Sequence, residues 1–179
     1  EPYLPHAWPV QYRITIEEEI MGLSATNNGV TLRGQIDRQT DPQGPTLVLA
    51  GSLGSTMDLW RKVVPLMPDT LRIIRYDMRG HGQSDAPLGP YTMGQLISDA
   101  AAVCDAAAVK DAMIVGISVG GMVAQGLAVK RPDLIRSMVL SNTAAKIGNP
   151  TFWADRIKAV EDSTMPALAD AIMPRWFGR

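Results

Sequence analysis

Length, composition and charge exclude several classes of protein. The chain has 179 residues, 46% hydrophobic and 20% charged, as in globular rather than disordered proteins. Its 17 Lys and Arg residues balance 18 Asp and Glu residues, so charge gives no reason to expect a nucleic-acid partner. No apolar run reaches the roughly 18 residues of a membrane span, so no membrane partner is expected. A single cysteine and two histidines leave little for a disulfide framework or a metal, and we expect no cofactor.

The first twenty residues differ in character from the rest. They contain three prolines and end in Glu17–Glu19, just before Met21. A purine-rich ribosome-binding site translated in frame would encode such an acidic run, so we expect Met21 to be the true start and residues 1–20 to be an upstream extension. A real, poorly ordered arm is the alternative. No apolar leader is visible, and a reducing cytoplasm is the expected location.

The first half of the remaining chain reads as strands with one short helix. Residues 30–36 alternate between apolar and polar after an Asn-Asn-Gly turn, which predicts a half-buried strand. Residues 46–50 form a continuous apolar run, typical of a strand buried on both faces. A helix is predicted around 57–64, ending near Pro65, and a strand over 71–76.

Further along, helices and strands alternate. Thr92 and Gln95 form a capping-box pattern that starts a helix with an apolar face. Buried strands are predicted over 112–116 and 135–140, with a helix over 119–130 between them. This alternation predicts an α/β fold with a mostly parallel sheet and helices on both faces. Two helices, 151–160 and 165–177, are predicted to follow without a strand between them.

The sequence Gly-Ile-Ser-Val-Gly at residues 116–120 is the sharpest chemical signal. An apolar strand runs into it and a helix follows, which is the arrangement of a nucleophile elbow. In such an elbow the glycines leave room for neighbouring backbone, and a strained turn lifts the hydroxyl of Ser118 clear. A tight strand-to-helix turn without chemistry is the alternative.

A second loop has the composition of an oxyanion-binding segment. The strand 46–50 ends in Gly-Ser-Leu-Gly-Ser, whose small residues let backbone approach a substrate. Acyl transfer needs two N–H donors aimed at the developing oxyanion. Val119, which follows the serine, and Leu53 in this loop are the candidates. An ordinary connecting loop is the alternative reading for residues 51–55.

Two other reactive side chains are interpreted as structural. His81 lies between two glycines, where its ring is more suited to tying a loop by hydrogen bonds than to acting as a base. Cys104 lies on the apolar face of an Ala-rich helix, which predicts a buried thiol rather than a nucleophile.

These motifs together resemble the α/β-hydrolase superfamily, and more narrowly its beta-ketoadipate enol-lactonase family. The resemblance runs from about Gly29 to the last residue. It is carried by GISVGGMVAQGLA and YDMRGHGQSD, and by LVLAGSLGSTMDLW, PYTMGQL and LSNTAAKIGNPTFWADRI. It implies an α/β-hydrolase fold, with Ser118 as nucleophile and the N–H groups of Leu53 and Val119 as the oxyanion hole. Residues 21–148 would be the hydrolase core, and 149–179 the start of a helical cap.

The resemblance also implies a substrate, and it implies that the acid and the histidine of the catalytic triad are missing from this sequence. An enol-lactone is a small molecule with a free carboxylate, which a cation would recognise. Lys146, Arg156 and Arg175 are the candidates, each with a solvated surface charge as the alternative. The family order is Ser, then an acid, then His, yet no histidine follows Ser118. We therefore expect a C-terminally truncated chain whose core is incomplete and inactive; a second polypeptide that completes it is the alternative.

Two functions of different kinds remain open at this point. The first is a serine hydrolase acting on a lactone or carboxylic ester, most narrowly an enol-lactonase of aromatic-compound catabolism, or else a general carboxylesterase. The second is a non-catalytic protein that uses the same fold to bind a small molecule or a partner. A binder needs neither an elbow nor an oxyanion loop, so the motifs favour the enzyme. The sequence leaves the oligomeric state open.

Overall fold

The computed structural model describes residues 21–38, 44–164, 167, 169–170 and 173–174. Within these residues the chain forms one six-stranded sheet and three α-helices. The strands are β1 (Met21–Asn27), β2 (Val30–Asp37), β3 (Thr46–Ala50), β4 (Arg72–Tyr76), β5 (Ala112–Ile117) and β6 (Ile135–Ser141), and the helices are α1 (Met93–Ala106), α2 (Val119–Lys130) and α3 (Pro150–Glu161). Residues 1–20 and most of the predicted helix 165–177 lie outside the described residues. None of the helices described here is long and apolar enough to cross a membrane.

The sheet is mostly parallel, as predicted. Its strand order is β1-β2-β4-β3-β5-β6, and the four strands from β4 to β6 run parallel to one another. Strand β2 pairs antiparallel with both β1 and β4. Strand β1 is an addition that the sequence did not predict, because its Gly, Ser and Ala residues give only a weak apolar alternation. Asn28 and Gly29 both have positive φ, which suits the two-residue turn of a β1–β2 hairpin.

The two α-helices α1 and α2 cover one face of the sheet, and a short 3₁₀ segment that contains Trp60 covers part of the other. Helices α1 and α2 pack on one face, where Val48, Ile74 and Ile114 belong to the larger apolar cluster. On the other face, Leu49 and Ile73 pack under Trp60 in a smaller cluster. Val119, the residue after Ser118, belongs to the larger cluster, which ties the turn that contains Ser118 to the core.

The predicted helix 57–64 is wrong in type. Two 3₁₀ turns, Met57–Trp60 and Val64–Leu66, occupy this segment. A 3₁₀ turn aligns residues three apart, which places both Met57 and Trp60 against the sheet. The segment is short, and Pro65 supplies no N–H to extend an α-helix through its end.

Helix α1 matches its prediction in detail. Thr92 accepts a hydrogen bond from the Gln95 N–H, and the Gln95 side chain accepts one from the Thr92 N–H, forming the capping box. Cys104 is fully buried on the apolar face, as predicted. Burial raises the pKa of its thiol to about 12, so Cys104 is a neutral packing residue at physiological pH.

Strand β6 forms as predicted, but the prediction that it is buried is wrong. Met138, Val139 and Leu140 are 40%, 59% and 43% exposed. Among the described residues, β6 pairs only with β5 and ends the sheet. Strand β5, also predicted to be buried, is half covered: Ile114 is fully buried, but Met113 on the other face is 37% exposed.

Candidate active site

Ser118 occupies a strained turn at the carboxyl end of β5. It follows the last residue of β5 and precedes the first residue of α2, with φ 54° and ψ −119°. L-residues rarely adopt this conformation, and holding one there costs on the order of 1–3 kcal/mol. The side chain is half-buried. This is the backbone geometry that the elbow prediction requires.

The two flanking glycines are required by close backbone contacts. A Cβ at Gly116 would lie 2.4 Å from the carbonyl oxygen of Gly120. A Cβ at Gly120 would lie 2.2 Å from the carbonyl oxygen of Ala50, at the end of the neighbouring strand. The first turn of α2 therefore packs directly on the ends of β5 and β3, which only glycine permits.

The end of β6 holds the serine backbone from the other side. The Ser118 N–H donates to the carbonyl oxygen of Ser141 at 3.0 Å. The Thr143 hydroxyl donates to the carbonyl oxygen of Ser118 at 2.7 Å. With both its backbone groups bonded, the strained residue is fixed by its surroundings rather than by local preference.

Two backbone N–H groups lie near the serine without partners. Leu53 and Val119 line one cavity of about 320 Å³, and within the described part of the chain neither N–H makes a hydrogen bond. Parallel pairing of Ala50 with Gly116 brings the loop after β3 beside the start of α2. The Val119 N–H also lies at the N-terminus of α2, where the helix dipole favours negative charge. The two residues that the sequence predicted for the oxyanion hole thus line the same cavity.

A second cavity, of about 610 Å³, adjoins the first. Leu53, His81 and Trp153 line both cavities, whereas Ser118 is among the lining residues of neither. The smaller cavity is largely apolar. Its remaining lining residues are Met78, Arg79, Tyr91, Met93, Leu96, Val119, Met122 and Ile147. The larger cavity has one wall from α3, which brings the ionisable side chains of Arg156 and Glu161 to it.

His81 makes the loop hydrogen bonds that the sequence predicted. Its Nε2 lies 2.8 Å from the Gly54 nitrogen, and its Nδ1 lies 3.0 Å from the carbonyl oxygen of Arg79. Both ring nitrogens are therefore engaged with backbone. This leaves no free ring nitrogen to take a proton from a serine.

The three predicted carboxylate-binding cations have different positions. Arg156 is half-buried and lines the larger cavity, whereas Lys146 is exposed and lines neither cavity. Arg175 lies outside the described residues. In the part of the chain that is described, no three His, Cys, Asp or Glu side chains form a group suited to a metal ion.

Trp153 and Arg79 are among the cavity-lining residues that the sequence patterns did not indicate. Trp153 lines both cavities, and its indole N–H donates to the carbonyl oxygen of Ile147 at 2.9 Å, which joins α3 to the loop before it. Arg79 lines the smaller cavity while pairing with the buried Asp99. A usable signal for Arg79 was its place just after a parallel strand, since ligands bind at the carboxyl ends of such strands.

Comparison with known proteins gives a consistent match. A profile described as the alpha/beta hydrolase fold matches residues 45–162. The 3-oxoadipate enol-lactonase 2 of Acinetobacter baylyi is 36% identical over 144 residues, which are 80% of this chain and 52% of that protein. The crystal structure of the enol-lactonase from Burkholderia xenovorans LB400 matches with a TM-score of 0.80 at 40% identity, over 86% of this chain and 59% of that one.

A third match covers similar shares of both chains. The crystal structure of a hydrolase from Pseudomonas aeruginosa PA01 gives a TM-score of 0.80 at 37% identity, over 89% of this chain and 60% of that one. The chain thus spans about half the length of the curated relatives it matches.

Proposed function

This chain belongs to the alpha/beta hydrolase fold family, and on that premise we propose that it carries the nucleophile and oxyanion hole of a serine hydrolase for lactones or carboxylic esters. One observation carries the proposal. Ser118 is held at positive φ between a strand and a helix, beside two N–H groups that no described residue occupies. The named enol-lactonases among its relatives support the same reaction.

The geometry supports a two-step reaction. The Ser118 oxygen attacks the carbonyl carbon, and the electron pair of the C=O bond moves to the oxygen, which the N–H groups of Leu53 and Val119 stabilise. Collapse of this intermediate expels the enol or alcohol oxygen and leaves an acyl-serine, which water hydrolyses.

The serine proton needs a base, and we assign none within this sequence. His81 has both ring nitrogens engaged, and no histidine follows Ser118. A serine hydroxyl is a weak nucleophile at neutral pH unless a base takes its proton. We therefore propose that the 179-residue polypeptide alone has little hydrolase activity, although it carries the proposed nucleophile.

We propose a lactone that carries a free carboxylate as the substrate, in keeping with the 3-oxoadipate enol-lactonases among the relatives. Arg156 is the candidate partner for that carboxylate, because it is the one of the three predicted cations that lines a described cavity. The apolar smaller cavity, with Met93 and Leu96 in its wall, suits the hydrocarbon part of such a molecule. We propose no cofactor, because attack by serine needs none.

The division into a core of residues 21–148 and a cap beginning at 149 is part of the proposal. Helix α3 starts at Pro150 and supplies one wall of the larger cavity through Trp153, Arg156 and Ile157. It has no buried residue of its own, as expected of a helix that covers a site rather than the core. A cytoplasmic location is likewise proposed, from the sequence alone.

A fusion protein tests the hydrolase assignment. We would join this chain to the C-terminal part of the Burkholderia enol-lactonase and follow loss of enol-lactone by ultraviolet absorbance. We expect the fusion to turn over and Ser118→Ala to lower kcat by roughly 10⁴-fold or more. Ser137→Ala, at an exposed position on β6, is the matched control and should keep full activity. A fusion whose turnover survives Ser118→Ala would refute the proposal.

A further inference from the structure

We propose that His81 is a positioning residue for the oxyanion hole: in its neutral form, with the proton on Nδ1, it fixes the Leu53 N–H through a hydrogen bond from Gly54. Protonation of the ring removes that bond and frees the loop. The inference rests on the proposed function for its catalytic meaning. The hydrogen bond and its response to pH can be measured separately.

The partners of the ring dictate one tautomer. The carbonyl oxygen of Arg79 only accepts hydrogen bonds, so the Nδ1 that faces it at 3.0 Å donates. The Gly54 N–H only donates, so the Nε2 at 2.8 Å accepts through its lone pair. A protonated imidazole carries a hydrogen on both nitrogens. Its Nε2–H would then point at the Gly54 N–H, and the bond would be lost.

This one bond anchors the oxyanion loop. Ser52 and Ser55 bond to each other, with Ser52 N–H to the Ser55 hydroxyl at 3.0 Å and Ser55 N–H to the Ser52 carbonyl at 3.1 Å. Of the hydrogen bonds in the described part of the chain, the one from Gly54 to His81 alone joins residues 52–55 to another segment. Leu53, whose N–H is the proposed donor, lies within this loop and directly before Gly54.

The loop that carries His81 is itself rigid. Gly80 and Gly82 flank it with φ of 75° and 50°. A Cβ at Gly80 would lie 2.7 Å from the Tyr91 ring, and one at Gly82 would lie 2.1 Å from the Asp77 carboxylate. The His81 N–H also donates to the carbonyl oxygen of Met78 at 3.0 Å. The ring therefore projects from a fixed base, and it is the Gly54 loop that would move when the bond breaks.

Ionisable side chains line the same cavities as the ring. Arg156 and Glu161 of α3 line the larger cavity with it, and Arg79 and Tyr91 line the smaller one. Asp77 lies at the base of the same turn, where it accepts from the Gln83 N–H. Residues 52–55 of the partner loop carry no charge.

Nuclear magnetic resonance tests the bond without relying on activity. Magic-angle-spinning spectra of the 179-residue chain, labelled with ¹⁵N in histidine, glycine and leucine, do not depend on its state of association. The sequence has only one other histidine, His6, so His6→Gln assigns the ring signals. At neutral pH we expect His81 to show a protonated Nδ1 and an unprotonated, hydrogen-bonded Nε2. On acidification, the Gly54 and Leu53 amide signals should shift with the same midpoint as the ring.

Two substitutions separate positioning from a general effect on folding. His81→Gln can place an acceptor near the Nε2 position that does not titrate. His81→Asn keeps a donor near Nδ1 and loses the acceptor. We expect the Gly54 and Leu53 signals to become independent of pH in His81→Gln, and hydrogen exchange at Gly54 to accelerate at least 10-fold in His81→Asn. In the fusion, His81→Asn should lower kcat at least 10-fold with little change in KM, while His81→Gln should recover most of it.

The outcomes are distinguishable. An Nε2-protonated ring at neutral pH, or Gly54 and Leu53 signals that do not follow the His81 titration, would overturn the positioning role whatever the activity. If His81→Asn does not fold, the titration of the unmodified chain and of His81→Gln decides the question. Turnover that survives Ser118→Ala would instead refute the proposed function and leave the measured His81–Gly54 bond standing.

Discussion

At the scale of single residues, the backbone around Ser118 adopts a conformation that costs stability and fixes the position of the hydroxyl. Ser118 is held in a conformation that few L-residues adopt, and the backbone around it approaches so closely that Gly116 and Gly120 have no room for a methyl group. The gain is a hydroxyl placed next to the N-terminus of α2 and the loop after β3. Strain that the fold retains at a single residue is a common property of functional sites.

The glycine requirement gives a stability prediction. In Gly116→Ala the new methyl group meets the Gly120 carbonyl, which belongs to backbone and cannot rotate away. We expect the free energy of unfolding, measured by urea denaturation, to fall by about 1–3 kcal/mol or more. Gly22→Ala is the matched control, because a Cβ there meets nothing within 4 Å, and its change should stay within about 0.5 kcal/mol. Equal effects at both positions would contradict the close contact.

The residues of the candidate site differ in how well the sequence predicts them. Ser118, Val119 and Leu53 could be selected because a strand, small residues and a helix follow one another in the chain. That His81 ties a loop could also be predicted, but its partner Gly54 lies 27 residues away and depends on how two loops meet, which local patterns do not encode. Trp153 lines both cavities because α3 approaches the loops that carry Leu53 and His81, which are distant from it in the sequence.

At the scale of elements, α3 supplies one wall of the larger cavity. One side of the helix lines the larger cavity, with Arg156 half-buried there. Lys158, two residues later, is exposed and pairs with Asp162 at 2.8 Å. Both side chains are cationic and lie on α3, but Arg156 lines the cavity and Lys158 does not.

This difference gives a prediction about substrate recognition. In the fusion, Arg156→Gln should raise KM for a carboxylate-bearing lactone by about 10-fold or more, because a charge-assisted hydrogen bond contributes roughly 1.5–3 kcal/mol. KM for a neutral ester should not change. Lys158→Gln is the matched control and should leave both values unaltered. An equal loss with both substrates would indicate that Arg156 supports the fold of α3 and does not bind a carboxylate.

The elements themselves were predictable where the apolar pattern was strong. Strands β3 and β5 and helices α1 and α2 follow from continuous apolar runs, a capping box and a glycine-flanked turn. Strand β1 was missed because it depends on pairing with β2 more than on its own composition. The segment 57–66 forms 3₁₀ turns because Met57 and Trp60 must both reach the sheet, which is a demand of packing.

For the whole molecule, the described sheet ends in an open apolar strand. Val139 is 59% exposed on β6, and its register partner Val115 on β5 shares this face with Met113, which is 37% exposed. The outer edge of β6 has no strand paired to it among the described residues. Unpaired N–H and C=O groups beside apolar side chains form a template for association between molecules.

We therefore expect the purified 179-residue polypeptide to associate. Sedimentation velocity should show species larger than a monomer. A Val139→Lys substitution, which places a charge on the exposed face, should shift the population towards monomer. Lys110→Ala, an exposed change away from this edge, should leave the distribution unaltered. A monodisperse monomer of the unmodified chain would contradict the expectation.

The most direct measurement of the central claim is to map where a fluorophosphonate reacts in the fusion protein. The oxygen of the nucleophilic serine displaces fluoride and keeps the phosphonyl group, and peptide mass spectrometry then locates the modified residue. The account predicts one adduct, on the peptide that contains Ser118, and no adduct in Ser118→Ala. Modification of a different serine in a fusion that hydrolyses the lactone would contradict it.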